Sequence, residues 1–94
     1  MTQEHLDAIL NLLQVGKADK EGWRAAPEGL LLTFHVAHSA GTLGVSRVEA
    51  VRFDGTLVLA RTAKKELFGF DRDHVFAVAT DGGAGQPARR PGFG

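Results

Sequence analysis

Ninety-four residues, 44% of them hydrophobic, with eleven basic against eleven acidic side chains, describe one globular domain without net charge; a second full domain and a global attraction for polyanions are both excluded. Cysteine is absent, which excludes disulfides and thiolate chemistry. No apolar run is long enough to cross a bilayer, and the polar start Met1-Thr2-Gln3-Glu4-His5 lacks the basic and apolar regions of a signal peptide, so no membrane association and a cytoplasmic location are the expectations.

The first predicted element is a helix over residues 3–15. Thr2 suits the N-cap, Glu4 and Asp7 bring negative charge to the positive end of the helix, and Gly16 suits a left-handed stop. Leu6, Ile9, Leu10 and Leu13 recur at i, i+3, i+4 and i+7, and Ala8, Leu12 and Val15 widen that apolar stripe. The stripe needs cover, from its own domain or from a partner. A polar connector over residues 16–29 follows, broken by the only tryptophan, Trp23, and by a turn at Pro27-Glu28-Gly29. Trp23 reads as an anchor for the connector or as an interface residue. Leu6, Ile9, Leu13 and Trp23 are therefore the candidate protein-interaction residues.

Residues 30–38 form the first predicted strand. Alternation directs Leu30, Leu32, Phe34, Val36 and His38 inward and Leu31, Thr33, His35 and Ala37 outward. His35 and His38 diverge, no cysteine completes a ligand set, and no metal site or other cofactor is predicted. Residues 39–44 read as a flexible connection. It has two glycines but neither the Lys-Ser/Thr ending nor the following helix of a phosphate-binding loop. Ser39 and Ser46 lie in no Gly-x-Ser-x-Gly elbow, so nucleophilic catalysis has no support.

The second strand, residues 45–53, has no single apolar parity: Val48 and Ala50 suit one face, Val51 and Phe53 the other. A bent strand with a bulge absorbs such a switch. Asp54-Gly55 then predicts a tight hairpin with residues 56–62. Residues 66–70 form a short strand, Asp71-Arg72-Asp73-His74 a one-turn break in which Asp71 accepts backbone N–H groups, and residues 75–80 the last strand. The two carboxylates and imidazole of the break invite acid/base chemistry, but nothing marks a substrate cleft, and no enzyme activity is predicted. Residues 81–94, rich in glycine and proline, are expected to form a disordered tail.

This order, with Phe53-Asp54, the run Leu57-Val58-Leu59-Ala60 and His74 before the last strand, resembles the Sm-like barrel, including bacterial host-factor riboregulators; it also suits SH3-like barrels. The resemblance implies a mainly β fold, a small five-stranded barrel over residues 30–80 with an N-terminal helix, and it implies ring assembly and RNA binding. Two features depart from the family: Asp71, Arg72 and Asp73 replace a Tyr-Lys pair, and residues 39–44 replace a tight Asn-Gly turn. Arg61, Lys64, Lys65, His74, Arg89 and Arg90 are the candidate nucleic-acid residues. The reading that composition favours is a non-catalytic protein-binding or assembly module that self-associates or binds a protein partner, with an Sm-like RNA-binding protein as the alternative.

Overall fold

A computed structural model describes residues 1–81. Helix α1 (Gln3–Leu12) is followed by strands β1 (Trp23–Ala25), β2 (Leu31–His38), β3 (Gly41–Asp54), β4 (Leu57–Thr62) and β5 (Leu67–Asp71), a 3-10 turn (Arg72–His74) and β6 (Val75–Asp81). All pairings are antiparallel, in the order β5-β4-β3-β2-β6, with β1 added to β3. The chain is thus mainly β, and among the described residues β5 and β6 are the two outer edges of an open sheet. Six strands replace the five expected, because β1 forms inside the stretch read as connector. The expected tail lies outside the described residues, except that Asp81 belongs to β6, opposite Leu31. Among the described residues no helix is long and apolar enough to cross a membrane.

Helix α1 starts as its sequence predicts, with the Thr2 hydroxyl accepting the His5 N–H at 3.1 Å. It stops earlier than Gly16. Gln14 takes the left-handed conformation (φ 65°), its N–H donates to the Asn11 carbonyl at 3.0 Å, and the Val15 N–H donates to the Leu10 carbonyl at 2.9 Å. This paired closure is a Schellman motif, completed by burial of Val15 beside Leu10. Arg24, reaching across from β1, donates to the Gly16 carbonyl at 2.7 Å, to Asn11 Oδ1 at 2.9 Å and to Asp7 Oδ1 at 3.3 Å. It supplies the cation that the last turn of the helix lacks.

The helix packs on one face of the sheet. Leu6 and Leu10 are fully buried in one cluster with Leu32, Phe34, Val48 and Val51, each leucine contributing about 2 kcal/mol by removal from water. Most of the predicted stripe is therefore covered by its own domain, whereas Leu12 (82% exposed) points to solvent. In β2, Leu32, Phe34 and Val36 face inward as predicted, but Leu30 is half-buried and His38 exposed. Residues 39–44 do not form a loop: β2 and β3 pair as far as His38 and Gly41, leaving a two-residue turn.

Strand β3 bends twice. One register shift against β2 lies between Val45 and Val48, where Arg47 has φ 60°, and another against β4 lies between Val48 and Ala50. Each inserted residue flips the parity, so Val45, Val48, Ala50 and Val51 all reach the core. The predicted hairpin forms, with Asp54 opposite Leu57. Gly55 has φ 62° while Thr56 does not have positive φ, the pattern of a II′ turn in place of the I′ turn that Asp-Gly suggests.

Candidate functional site

Strand β5 is where the fold leaves chemistry open. Val58, Ala60 and Thr62 of β4 face inward, and Phe70 and Phe68 of β5, opposite Val58 and Ala60, share that face. Phe70 packs on the core ring of Phe34 with centroids 5.6 Å apart, but Phe68 stays 41% exposed. On the other face Leu67, Gly69 and Asp71 lie opposite Arg61, Leu59 and Leu57.

The backbone follows the same parity. Thr62 N–H donates to the Glu66 carbonyl at 2.8 Å and Arg72 N–H donates to the Thr56 carbonyl at 2.7 Å, so even-numbered residues of this segment are directed at β4. Leu67, Gly69 and Asp71 therefore turn their N–H and C=O groups to the free edge. Such an edge is normally blunted by charge, proline or a covering element. Here it is flanked by exposed Leu67 (62%) and Leu57 (42%). Gly69 leaves a dimple bounded by Leu59 and Leu57, since a Cβ there would lie 3.5 Å from Leu59 Cδ2 and 4.0 Å from Leu57 Cδ1.

Beside the edge, Ser46, Arg47, Thr62, Lys64, Glu66 and Phe68 line an open cleft of about 210 Å³. The left-handed Arg47 forms one wall, held by its carbonyl accepting the Ala63 N–H at 2.9 Å. Among the described residues neither Arg47 nor Lys64 forms an ion pair. The neighbouring cations are occupied: Glu49 Oε2 accepts from Lys65 Nζ at 2.8 Å and from Arg61 Nε at 2.9 Å. The Lys65 hydrogen bond holds the Glu49 carboxyl below its ordinary value, and Arg61 adds to this against the opposing effect of burial.

The predicted site residues are dispersed. Leu6 is wholly inside its own core, and Ile9 and Leu13 are half-buried on the helix; as an interface these three offer little to another chain. Trp23 is half-buried on the outer face of β1, with the Arg61 guanidinium 4.9 Å from its ring centroid, the anchoring arrangement. Arg61 and Lys65 meet at Glu49, Lys64 borders the cleft, and exposed His74 follows the far end of β5, ~17 Å of strand away. Arg89 and Arg90 lie outside the described residues. Among the described residues no three His, Cys, Asp or Glu side chains converge as metal ligands.

Leu57, Leu59, Leu67, Phe68, Gly69 and Arg47 are the site residues that the sequence analysis missed. One signal was present: Leu67-Phe68-Gly69-Phe70 is apolar at both parities, the pattern of a strand covered on two faces. Comparison with protein-family models, with curated proteins and with solved structures finds no match.

Proposed function

We propose that the protein is a non-catalytic module that binds protein through the β5 edge, on a small barrel of the Sm-like or SH3-like kind. The observation that carries this reading is the free edge itself: three residues with backbone groups turned outward, bordered by Leu57, Leu67 and Phe68. An extended segment added there gains main-chain hydrogen bonds and apolar contact together, the mode known as β-augmentation. The barrel reading is supported by the order helix, inward strand, doubly bent strand, hairpin strand, edge strand, one-turn break and last strand.

A photoreactive benzophenone side chain at position 67, compared in cells with the same group at exposed Leu12, tests the reading. Protein adducts specific to position 67 are expected. Equal labelling at both positions, or adducts to nucleic acid alone, would overturn it.

The cleft favours the RNA-binding alternative to a limited degree, since Arg47 and Lys64 stand beside the exposed ring of Phe68, a cation-and-stacking combination suited to single strands. Arg61 and Lys65, already neutralised by Glu49, weigh against an extended phosphate track. Single-stranded RNA binding that falls steeply with salt and is lost in Arg47→Glu or Lys64→Glu would promote this reading.

A further inference from the structure

We infer that the occupant of the β5 edge is the β5 edge of a second copy, paired antiparallel about a two-fold axis with Phe68 opposite Phe68. The inference rests on the edge-binding reading and names its partner. Three independent features of one strand are self-complementary in this register.

The first is shape. With Phe68 at the centre, Leu67 of each copy lies opposite Gly69 of the other, on the same face. The dimple at Gly69, bounded by Leu59 and Leu57, then receives the exposed Leu67 side chain of the second copy. The second is the backbone. Leu67 and Gly69 both direct N–H and C=O outward, so they form two hydrogen-bonded pairs around a non-hydrogen-bonded Phe68 pair, the closely approached type that suits cross-strand aromatic contact. The third is charge. Lys64, which forms no ion pair among the described residues, precedes β5, while Asp71 closes it; reversal of the second strand sets the Lys64 end of each copy towards the Asp71 end of the other.

Neighbouring registers lose these matches. A two-residue slip sets Gly69 against Gly69 and Leu67 against Asp71, leaving both dimples empty. A one-residue slip sets outward-directed groups against residues already bonded to β4.

In this register Leu67, Phe68 and Gly69 are the β5 residues that face each other, a small interface in the weak and reversible class below ~1,200 Å², so a covalent trap is the suitable assay. The chain has no cysteine, and directly opposed residues of a non-hydrogen-bonded pair lie ~4.5 Å apart at Cα, within disulfide reach. Phe68→Cys is expected to form a disulfide-linked dimer under mild oxidation, at least tenfold faster than Phe76→Cys at the exposed ring of the opposite edge. Adding Gly69→Val to Phe68→Cys should slow cross-linking at least tenfold with the thermal midpoint essentially kept, because a Cβ at 69 meets only ordinary contacts in the single chain. Adding Leu67→Lys, at a surface position, should do the same and supplies the test if the valine variant fails to fold.

Cross-linking of Phe76→Cys as fast as Phe68→Cys, or indifference to both added changes, would overturn the proposal. So would preferential linkage between the two variants in an equimolar mixture, which would indicate head-to-tail pairing of unlike edges. If Phe68→Cys does not self-link while the benzophenone at position 67 still captures another protein, self-pairing fails and the edge-binding reading stands. If position 67 captures nothing, both fail.

Discussion

Leu10 and Leu12 differ by two positions on one helix and by everything in surroundings, 0% against 82% exposed. Replacing Leu10 with alanine removes three buried carbons, about 2.4 kcal/mol of transfer at about 0.8 per methylene. The hole left under α1, against a sheet that cannot follow it, raises the total to about 3 kcal/mol. Leu12→Ala carries the same small change in helix propensity and should cost less than about 0.5 kcal/mol. A chain of this length has a total stability of roughly 5–14 kcal/mol, so the first change takes a large fraction of it. With a urea slope of about 1–1.5 kcal/mol per molar, the midpoint should fall by about 2–3 M for Leu10→Ala and hardly move for Leu12→Ala. Trp23, the only tryptophan, reports unfolding by fluorescence, and measurement at one protein concentration keeps any association constant. Equal, small losses for the two variants would refute docking of the helix on its own sheet; equal, large losses would show that Leu12 is covered by another chain.

Gly55→Val, at φ 62° in the β3–β4 turn, should destabilise by ~1 kcal/mol or more by thermal melting, since a β-branched residue is strained there. Gln14→Gly should do the opposite, raising stability by roughly 0.5 kcal/mol as the left-handed penalty is relieved and partly offset by the entropy of glycine in the unfolded chain. Arg24→Ala strips the helix end of its bonds to Gly16, Val15, Asn11 and Asp7 and should cost ~1–3 kcal/mol in urea unfolding; Arg24→Lys, lacking the fork that holds four acceptors, should recover only part of that. The Glu49 carboxyl has a lowered pKa in the folded state, so the unfolded chain binds the proton more tightly. Its stabilising contribution is present above the unfolded value and is lost as pH falls through the folded one. Acid unfolding of Glu49→Gln compared with wild type should show a shallower loss over that window.

Short-range signals carried most of the fold. The Thr2 cap, the inward alternation Leu32-Phe34-Val36, the bend in β3, the Asp54-Gly55 hairpin and the Asp71 cap, whose Oδ1 accepts the Asp73 N–H at 2.8 Å, are each decided within a few residues. What escaped is decided at a distance. The three residues of β1 are a strand only because β3 presents Ala50, Val51 and Arg52 to them. The helix stops at Gln14 and not Gly16 because Val15 is buried and Arg24 collects the loose carbonyls. In the candidate site, Lys64 and Lys65 are adjacent and chemically identical. They differ because Glu49, sixteen residues before Lys65, claims one of them, a distinction that no local pattern contains.

Strand β3 has three partners, β1 and β2 along one side and β4 along the other, and this sets an order in which the domain assembles. Its hairpins with β2 and β4 close across two-residue turns, so their loop-closure entropy is small and both can form while the rest of the chain is open. Strand β6 follows β5 across a single turn but pairs with β2, Leu32 with Thr80, the most sequence-distant pairing in the sheet, and is the last element repaid for its ordering. Amide hydrogen exchange should therefore be slowest in the middle of β3 and faster along β6 than in β2 or β4. Release of β6 alone would lift Val75 and Val78 from the core and bare the far side of β2, turning a domain with two free edges into a smaller sheet with a fresh apolar one.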